Sequence, residues 1–429
     1  MSLDKTLLFL LLTFPLGGLY AQSTDSDLNV LIAKAVEISP KIKMLEAKQR
    51  AVENKIPQQT NLPDPMLTLG LMNLPTTSFS FSEEPMTGKT IGLSQGIPFP
   101  GKLGAVEKVL SKDVEIVQKE IDDAENEITR DVKQSYYDVL FIRKKIKLVE
   151  ESKKLLENIS EVVRTKYSVS SASQQNLIKV DLEITNVNDV LFDLKRKEAE
   201  QIEKLNSLIL DNSEKYIFTD ELPDLFFIDF TLSQLDSIAE ANRPYLLGLE
   251  SAESKAVEQQ NLAEYDYYPN FNLAVQYTQR DKIAQSNTPL NDFFSLMLGV
   301  SIPLNYGGKV SAKVEEAASM KELYEAQYSM AMQMLRSSFG ASIAKLRSIE
   351  QRIQLTEEGL IPQARQNFTS ALSSYQVGKI DFINVIDAQK NLFDVEIKLY
   401  DLKTEYLKEV AALEFLVGTT LIDKSKFNN

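Results

Sequence analysis

Between Lys102 and Ser168 the chain runs for roughly 67 residues without a proline and with a single glycine, Gly104, in the first turn. Apolar residues recur at Leu103, Val106, Leu110, Val114, Val117, Ile121, Ala124 and Ile128, then at Val132, Val139, Ile142, Ile146, Val149, Leu156, Ile159 and Val163. The steps are mostly threes and fours averaging about 3.5, the coiled-coil period. At 1.5 Å per residue this predicts one helix of roughly 100 Å, far beyond the length of a globular helix.

The same plan is written twice. Leu28, Pro40, Leu45, Glu46 and Pro65 recur as Leu232, Pro244, Leu249, Glu250 and Pro269 at a constant offset. The offset then drifts by only a few residues, as Ile97-Pro98 returns as Ile302-Pro303, Gly101-Lys102 as Gly308-Lys309, and Tyr167-Ser168-Val169 as Tyr375-Gln376-Val377. The second long helix, expected from Lys309 to Gln376, is less uniform. Gly340 and Gly359 lower its propensity, and Pro362 should kink it by removing a hydrogen bond. The repeats are expected at 22–211 and 232–418, with an Asp- and Phe-rich connector at 212–231 and a tail at 419–429.

Each long helix ends in a turn, at Tyr167 to Ser173 and at Tyr375 to Asp381, after which the chain reverses. Ser170 and Gly378 suit left-handed turn positions, and Ser173 and Asp381 suit the N-caps of the return helices. These helical hairpins are expected over 102–211 and 309–417. The return helices are too short to pair the whole long helix. Helices starting at Pro40 and Pro244, where proline is welcome at the first helical position, would continue their line.

Between these elements the period switches to two, which predicts β-hairpins at 65–98 and 269–303. Phe271, Leu273, Val275 and Tyr277 alternate with Asn272, Ala274, Gln276 and Thr278. Phe294, Leu296, Leu298, Val300 and Ile302 alternate with Ser295, Met297, Gly299 and Ser301. Apolar residues on one face and small or polar ones on the other suit a membrane barrel with a wet lumen, and equally a half-buried sheet in a soluble domain. Four strands are too few to close a barrel, so the barrel reading requires an oligomer, and three copies would supply twelve strands. Tyr265, Tyr267 and Tyr268 would then fall at an interfacial girdle. The Gly88-Lys89-Thr90 triplet lacks the earlier glycine of a phosphate-binding loop, since Glu83 stands there, and is expected in the external loop of the first hairpin.

Composition removes whole classes of function. The 429 residues include no Cys, His or Trp, which excludes a Cys/His zinc site, an imidazole base, a Ser-His-Asp triad and disulfides. An enzyme would have only carboxylates, Lys, Tyr and Ser to work with, and no catalytic cluster, cofactor site or metal site is expected. A net charge of -14 argues against nucleic acid as a partner. Residues 1–21, with Lys5, an apolar stretch from Leu7 to Leu16 and Ala21 before polar Gln22, read as a secretory signal. Beyond it no apolar run approaches the ~20 residues of a spanning helix, so membrane residence would require a barrel.

A signal, duplicated halves, hairpins that open into very long helices and Tyr-x-x-Ser/Gly turns together resemble the TolC family of outer-membrane efflux ducts. Leu62-Pro63-Asp64-Pro65-Met66 and Gly92-Leu93-Ser94-Gln95-Gly96-Ile97-Pro98-Phe99-Pro100-Gly101-Lys102 are similar to its heavy-metal, Czc/Cus-type branch. The resemblance implies a mostly α fold with a β-barrel part. In it a homotrimer forms a twelve-stranded barrel in the outer membrane of a Gram-negative bacterium, in contact with lipid and continued by a periplasmic coiled-coil tunnel. It implies a passive export duct, joined through a periplasmic adaptor to an inner-membrane pump of RND or ABC type. The periplasmic tip and adaptor contact would comprise Tyr167, Ser170, Ser173, Tyr375, Gly378 and Asp381. The family's acidic lumen rings fall on Asn384 and Asp387, and an acidic tip partner falls on Asn176, so only Asp387 keeps a carboxylate. The competing expectation is a secreted or periplasmic coiled-coil scaffold without a pore.

Overall fold

The computed structural model describes residues 24–170 and 172–421, so the expected signal segment and the end of the tail lie outside the described residues. The first half runs α1 (Thr24–Ile38), α2 (Pro40–Glu53), α3 (Lys55–Thr60), β1 (Met66–Met72), β2 (Gly88–Ile97), α4 (Lys102–Ser168) and α5 (Gln174–Ile209). After the connector come α6 (Leu232–Asn242), α7 (Pro244–Glu264), β3 (Asn270–Gln279), β4 (Phe293–Ser301), α8 (Lys309–Leu355), α9 (Ile361–Gln376) and α10 (Phe382–Val417). Helix α4 has the expected bounds and spans 67 residues. Its stripe faces inward, with Val117, Ile121, Val132, Val139, Val149, Leu156 and Val163 all buried. Each such side chain contributes about 1.5–3 kcal/mol of transfer free energy, which outweighs the helix's weak local amphipathicity. Pro40 and Pro244 stand at the first position of their helices, as expected.

The second long helix differs from the expectation of a simple proline kink. Thr356–Leu360 form a π-helical turn, in which the Ile361 N–H donates five residues back to the Thr356 carbonyl. This widened turn precedes Pro362, which then occupies the first turn of α9, where a missing N–H costs little. The break therefore falls before the proline, and α8 and α9 form one interrupted rod.

The rods pack pairwise, α4 against α5 and α7, α8 against α7, and α10 against α8, α9 and α4. The buried side chains of the described residues gather in five clusters, of which three are large, two of them side by side at the level of Tyr406 and Leu407. One joins Leu28, Leu31, Val132, Tyr136, Leu140 and Leu205. A second joins Leu235, Leu246, Phe339, Leu346, Tyr406 and Leu413. The third, at the far end, joins Leu156, Val163, Val180, Tyr375, Phe382 and Val385. The connector is fastened by Tyr406, whose hydroxyl accepts from Ile228 N (2.8 Å) and donates to Phe226 O (3.3 Å).

At the other end the four strands form one antiparallel sheet in the order β1-β2-β3-β4, which joins the two halves through β2 and β3. Gly88, Lys89 and Thr90 open β2 rather than lying in the preceding loop, because they pair with Met72, Leu71 and Gly70 of β1. The chain enters α4 through Gly101, at φ 90°, where a Cβ would lie 2.8 Å from the Tyr265 hydroxyl oxygen, so only glycine fits. Just below the sheet, Asp266 bridges the starts of both long helices. Lys102 Nζ donates to its Oδ1 at 2.7 Å and Lys313 Nζ to its Oδ2 at 2.5 Å.

Candidate functional site

The register of the sheet sorts its side chains onto two faces. Leu67, Leu93, Val275 and Leu296 pair in one row, and Leu69, Ile91, Tyr277 and Phe294 in the next. This apolar face is open, and Leu69 (71%), Phe294 (73%) and Leu296 (67%) are as exposed as residues at a surface with no cover. The opposite face carries Thr68, Gly70, Thr90, Gly92, Ser94, Asn272, Gln276, Thr278, Ser295 and Gly299, none of them charged. Neither edge, β1 or β4, pairs with another strand among the described residues. Because β1 and β4 run in opposite directions, β4 of one copy can pair antiparallel with β1 of the next. A ten-residue strand such as β3, tilted near 45°, rises about 24 Å, the height of a bilayer's apolar band. Among the described residues no helix is long and apolar enough to cross a membrane. Tyr267 and Tyr268 are exposed beneath β3, and the Tyr268 ring stacks on Phe99 at 4.6 Å.

The far end of the stem carries the two turns. Ser170 (φ 58°) and Gly378 (φ 75°) both adopt the left-handed conformation, and Ser170 N and Gly378 N donate to Tyr167 O (2.9 Å) and Tyr375 O (3.0 Å). Ser173 and Asp381 occupy the N-cap positions with extended backbones, but neither side chain makes the expected capping hydrogen bond. Their backbone carbonyls instead accept from Asn176 N and Asn384 N.

The duplicated tyrosines differ. Tyr167 is exposed, whereas Tyr375 is buried against Phe382, ring centroids 5.2 Å apart. Burial pushes the Tyr375 phenol above its ordinary pKa, and nearby Asn176 opposes that rise. Asn384 and Asp387 are exposed one turn apart on α10, in a stripe that continues through Asn391 and Asp394.

The tip also holds a residue that sequence reasoning missed. Lys166 Nζ donates to the carbonyls of Tyr375 and Gln376, both at 2.8 Å, and lies 4.7 Å from the Tyr375 ring centroid. It satisfies C-terminal carbonyls of α9 from the other half of the chain, as a cation at a helix C-terminus should. The available signal was a lysine beside the tip tyrosine in the last turn of α4.

Comparison with known proteins agrees with this geometry. Residues 235–419 match the family described as outer membrane efflux protein. Over 92% of the chain the fold superimposes on 97% of VceC from Vibrio cholerae, with a TM-score of 0.72 at 16% identity. The family match thus falls on the second half of the chain, from α6 through α10. The chain is 22% identical to the outer membrane protein TolC of Vibrio cholerae over 97% of this chain and 96% of that one. The cobalt-zinc-cadmium resistance protein CzcC of Cupriavidus metallidurans is 20% identical, with 75% of each chain covered. The outer membrane efflux protein BepC of Brucella suis is 21% identical over 68% of this chain, and the match spans 63% of the length of BepC. The CusC channel shares the fold, with a TM-score of 0.72 over 94% of this chain and 95% of that one, at 15% identity.

Proposed function

We propose that the chain is the outer-membrane duct of a tripartite efflux system, a passive channel rather than an enzyme. The observation that carries this reading is the amphipathic four-stranded sheet at the head of a long helical stem, whose apolar face is uncovered and whose two edges lack partners among the described residues. Three copies would close a twelve-stranded barrel in the outer membrane and continue it as a coiled-coil tunnel into the periplasm. The tips at Tyr167 to Ser173 and Tyr375 to Asp381 would meet a periplasmic adaptor, which joins the duct to an RND or ABC pump in the inner membrane. Asn176, Asn384 and Asp387 are the candidates for the tunnel wall at that end, where three copies of Asp387 would favour cations. The pump selects the cargo. The likeness to CzcC and CusC and the segment from Leu62 to Met66 support a heavy-metal system.

The absence of cysteine makes the test clean. Gly378→Cys, expressed in the native cell and crosslinked in the periplasm, should capture an adaptor protein identifiable by mass spectrometry. Capture of neither an adaptor nor another copy would favour a scaffold without a pore.

A further inference from the structure

The polar face of the sheet is uncharged along its strands, yet one charge is fixed at its outer end. Arg280 follows β3 directly, beside Gly88, whose added Cβ would lie 3.6 Å from Arg280 Cγ. Its guanidinium therefore belongs to the face of Gly88, Thr90 and Thr278, opposite the leucines. It stacks on Phe293, with Cζ 3.6 Å from the ring centroid, and Phe293 pairs with Thr278 on that same face. Nε donates to Asn291 O at 2.7 Å, Nη2 donates to the same carbonyl, and Nη1 donates to Pro85 O at 3.0 Å. Three carbonyl-bound nitrogens and an aromatic platform hold the cation in place, and none of these partners neutralises it.

Among the described residues no carboxylate of the two external loops forms an ion pair with the Arg280 guanidinium. Asp281 pairs with Lys89 at 3.3 Å on the apolar face, the Asp292 carboxylate accepts from the Tyr277 hydroxyl and from Arg280 N, and Glu83 accepts from Ser78. Glu84 stands exposed beside Pro85.

We propose that Arg280 is a specificity-determining residue of the pore, a positive collar at its outer mouth that attracts anions and opposes cations. This rests on the duct reading, since three copies must surround one lumen. Along a passage whose strands carry no charge on the polar face, a fixed guanidinium acts over about a Debye length, roughly 10 Å at 0.1 M salt. Its weak hydration and planar donors suit carboxylate and phosphate groups. The outer end thus carries a sign opposite to that of the Asp387 and Asp394 stripe at the far end, so the current should rectify.

The test is a planar-bilayer recording of the intact trimer under a potassium chloride gradient. Arg280→Gln should raise the cation-to-anion permeability ratio about two-fold or more and reduce rectification. Lys89→Gln, the same charge change at similar height on the lipid face, should leave both unchanged. Arg280→Cys should recover the wild-type ratio with a trimethylammonium thiol reagent and move further from it with a sulfonate reagent. Pyrophosphate on the outer side of the wild-type channel should block it more strongly than on the tunnel side, a readout that needs no variant to fold. Equal ratios for wild type and Arg280→Gln, or symmetric pyrophosphate block, would overturn the collar while leaving the duct intact. A wild-type protein that does not conduct would instead remove the duct reading itself.

Discussion

Asp266 shows how one side chain couples the two halves where the sheet meets the stem. Burial alone would raise its pKa, but the ammonium groups of Lys102 and Lys313 outweigh that effect and hold it below the ordinary carboxylate value. A depressed pKa in the folded state means that the stabilisation is complete above the unfolded value, near 3.9, and is lost as pH falls through the folded value. Asp266→Asn should therefore cost about 1–2 kcal/mol at neutral pH, within the range for charge-assisted hydrogen bonds discounted for partial exposure. Thermal unfolding of the purified protein at a series of pH values measures this. The midpoint gap between wild type and variant should be constant above about pH 5 and narrow as pH falls below about 4. A gap that stayed constant into strong acid would mean that the carboxylate charge contributes nothing at this junction.

At the scale of elements, the second long rod is governed by its π turn more than by its proline. Pro362 sits in the first turn of α9, so its missing N–H and fixed φ match what that position requires. Pro362→Ala should change stability by less than about 1 kcal/mol, against the ~3 kcal/mol expected for a proline in a helix interior. Chemical denaturation of the two proteins checks the difference, and a stabilisation near 3 kcal/mol would mean that the proline strains the rod.

The contrast between the two rods also shows how far sequence reaches. The bounds of α4, the strand alternation and the left-handed positions at Ser170 and Gly378 were legible because each follows from local periodicity or backbone preference. The π turn was not, because it packs against α10, a segment distant in sequence. Nor were Lys166 on the α9 carbonyls or Asp266 between two lysines, since each long side chain selects its partner from a distant segment. The capping bonds expected of Ser173 and Asp381 fail for a related reason. Their side chains are exposed at the tip, where the turn backbone alone directs the chain into the return helix.

For the whole molecule, the two faces of the sheet make opposite demands, and the barrel stands or falls on that difference. Leu296 lies in β4, paired with Val275, in the middle of the uncovered apolar face. Gln276 is the next residue of β3 on the polar face, beside Ser295. If the apolar face meets lipid, Leu296→Arg places a cation near the middle of the membrane, at a cost of about 2–4 kcal/mol per chain, which three copies multiply. Gln276→Arg adds the same side chain to a wet lumen, where it remains hydrated and costs little. Membrane fractionation and trimer content after expression should therefore show Leu296→Arg depleted from the outer membrane and Gln276→Arg assembled in wild-type amounts. The reverse pattern would assign the polar face to lipid. Equal tolerance of both would mean that neither face enters a membrane, leaving a periplasmic stem whose sheet is covered by some other partner.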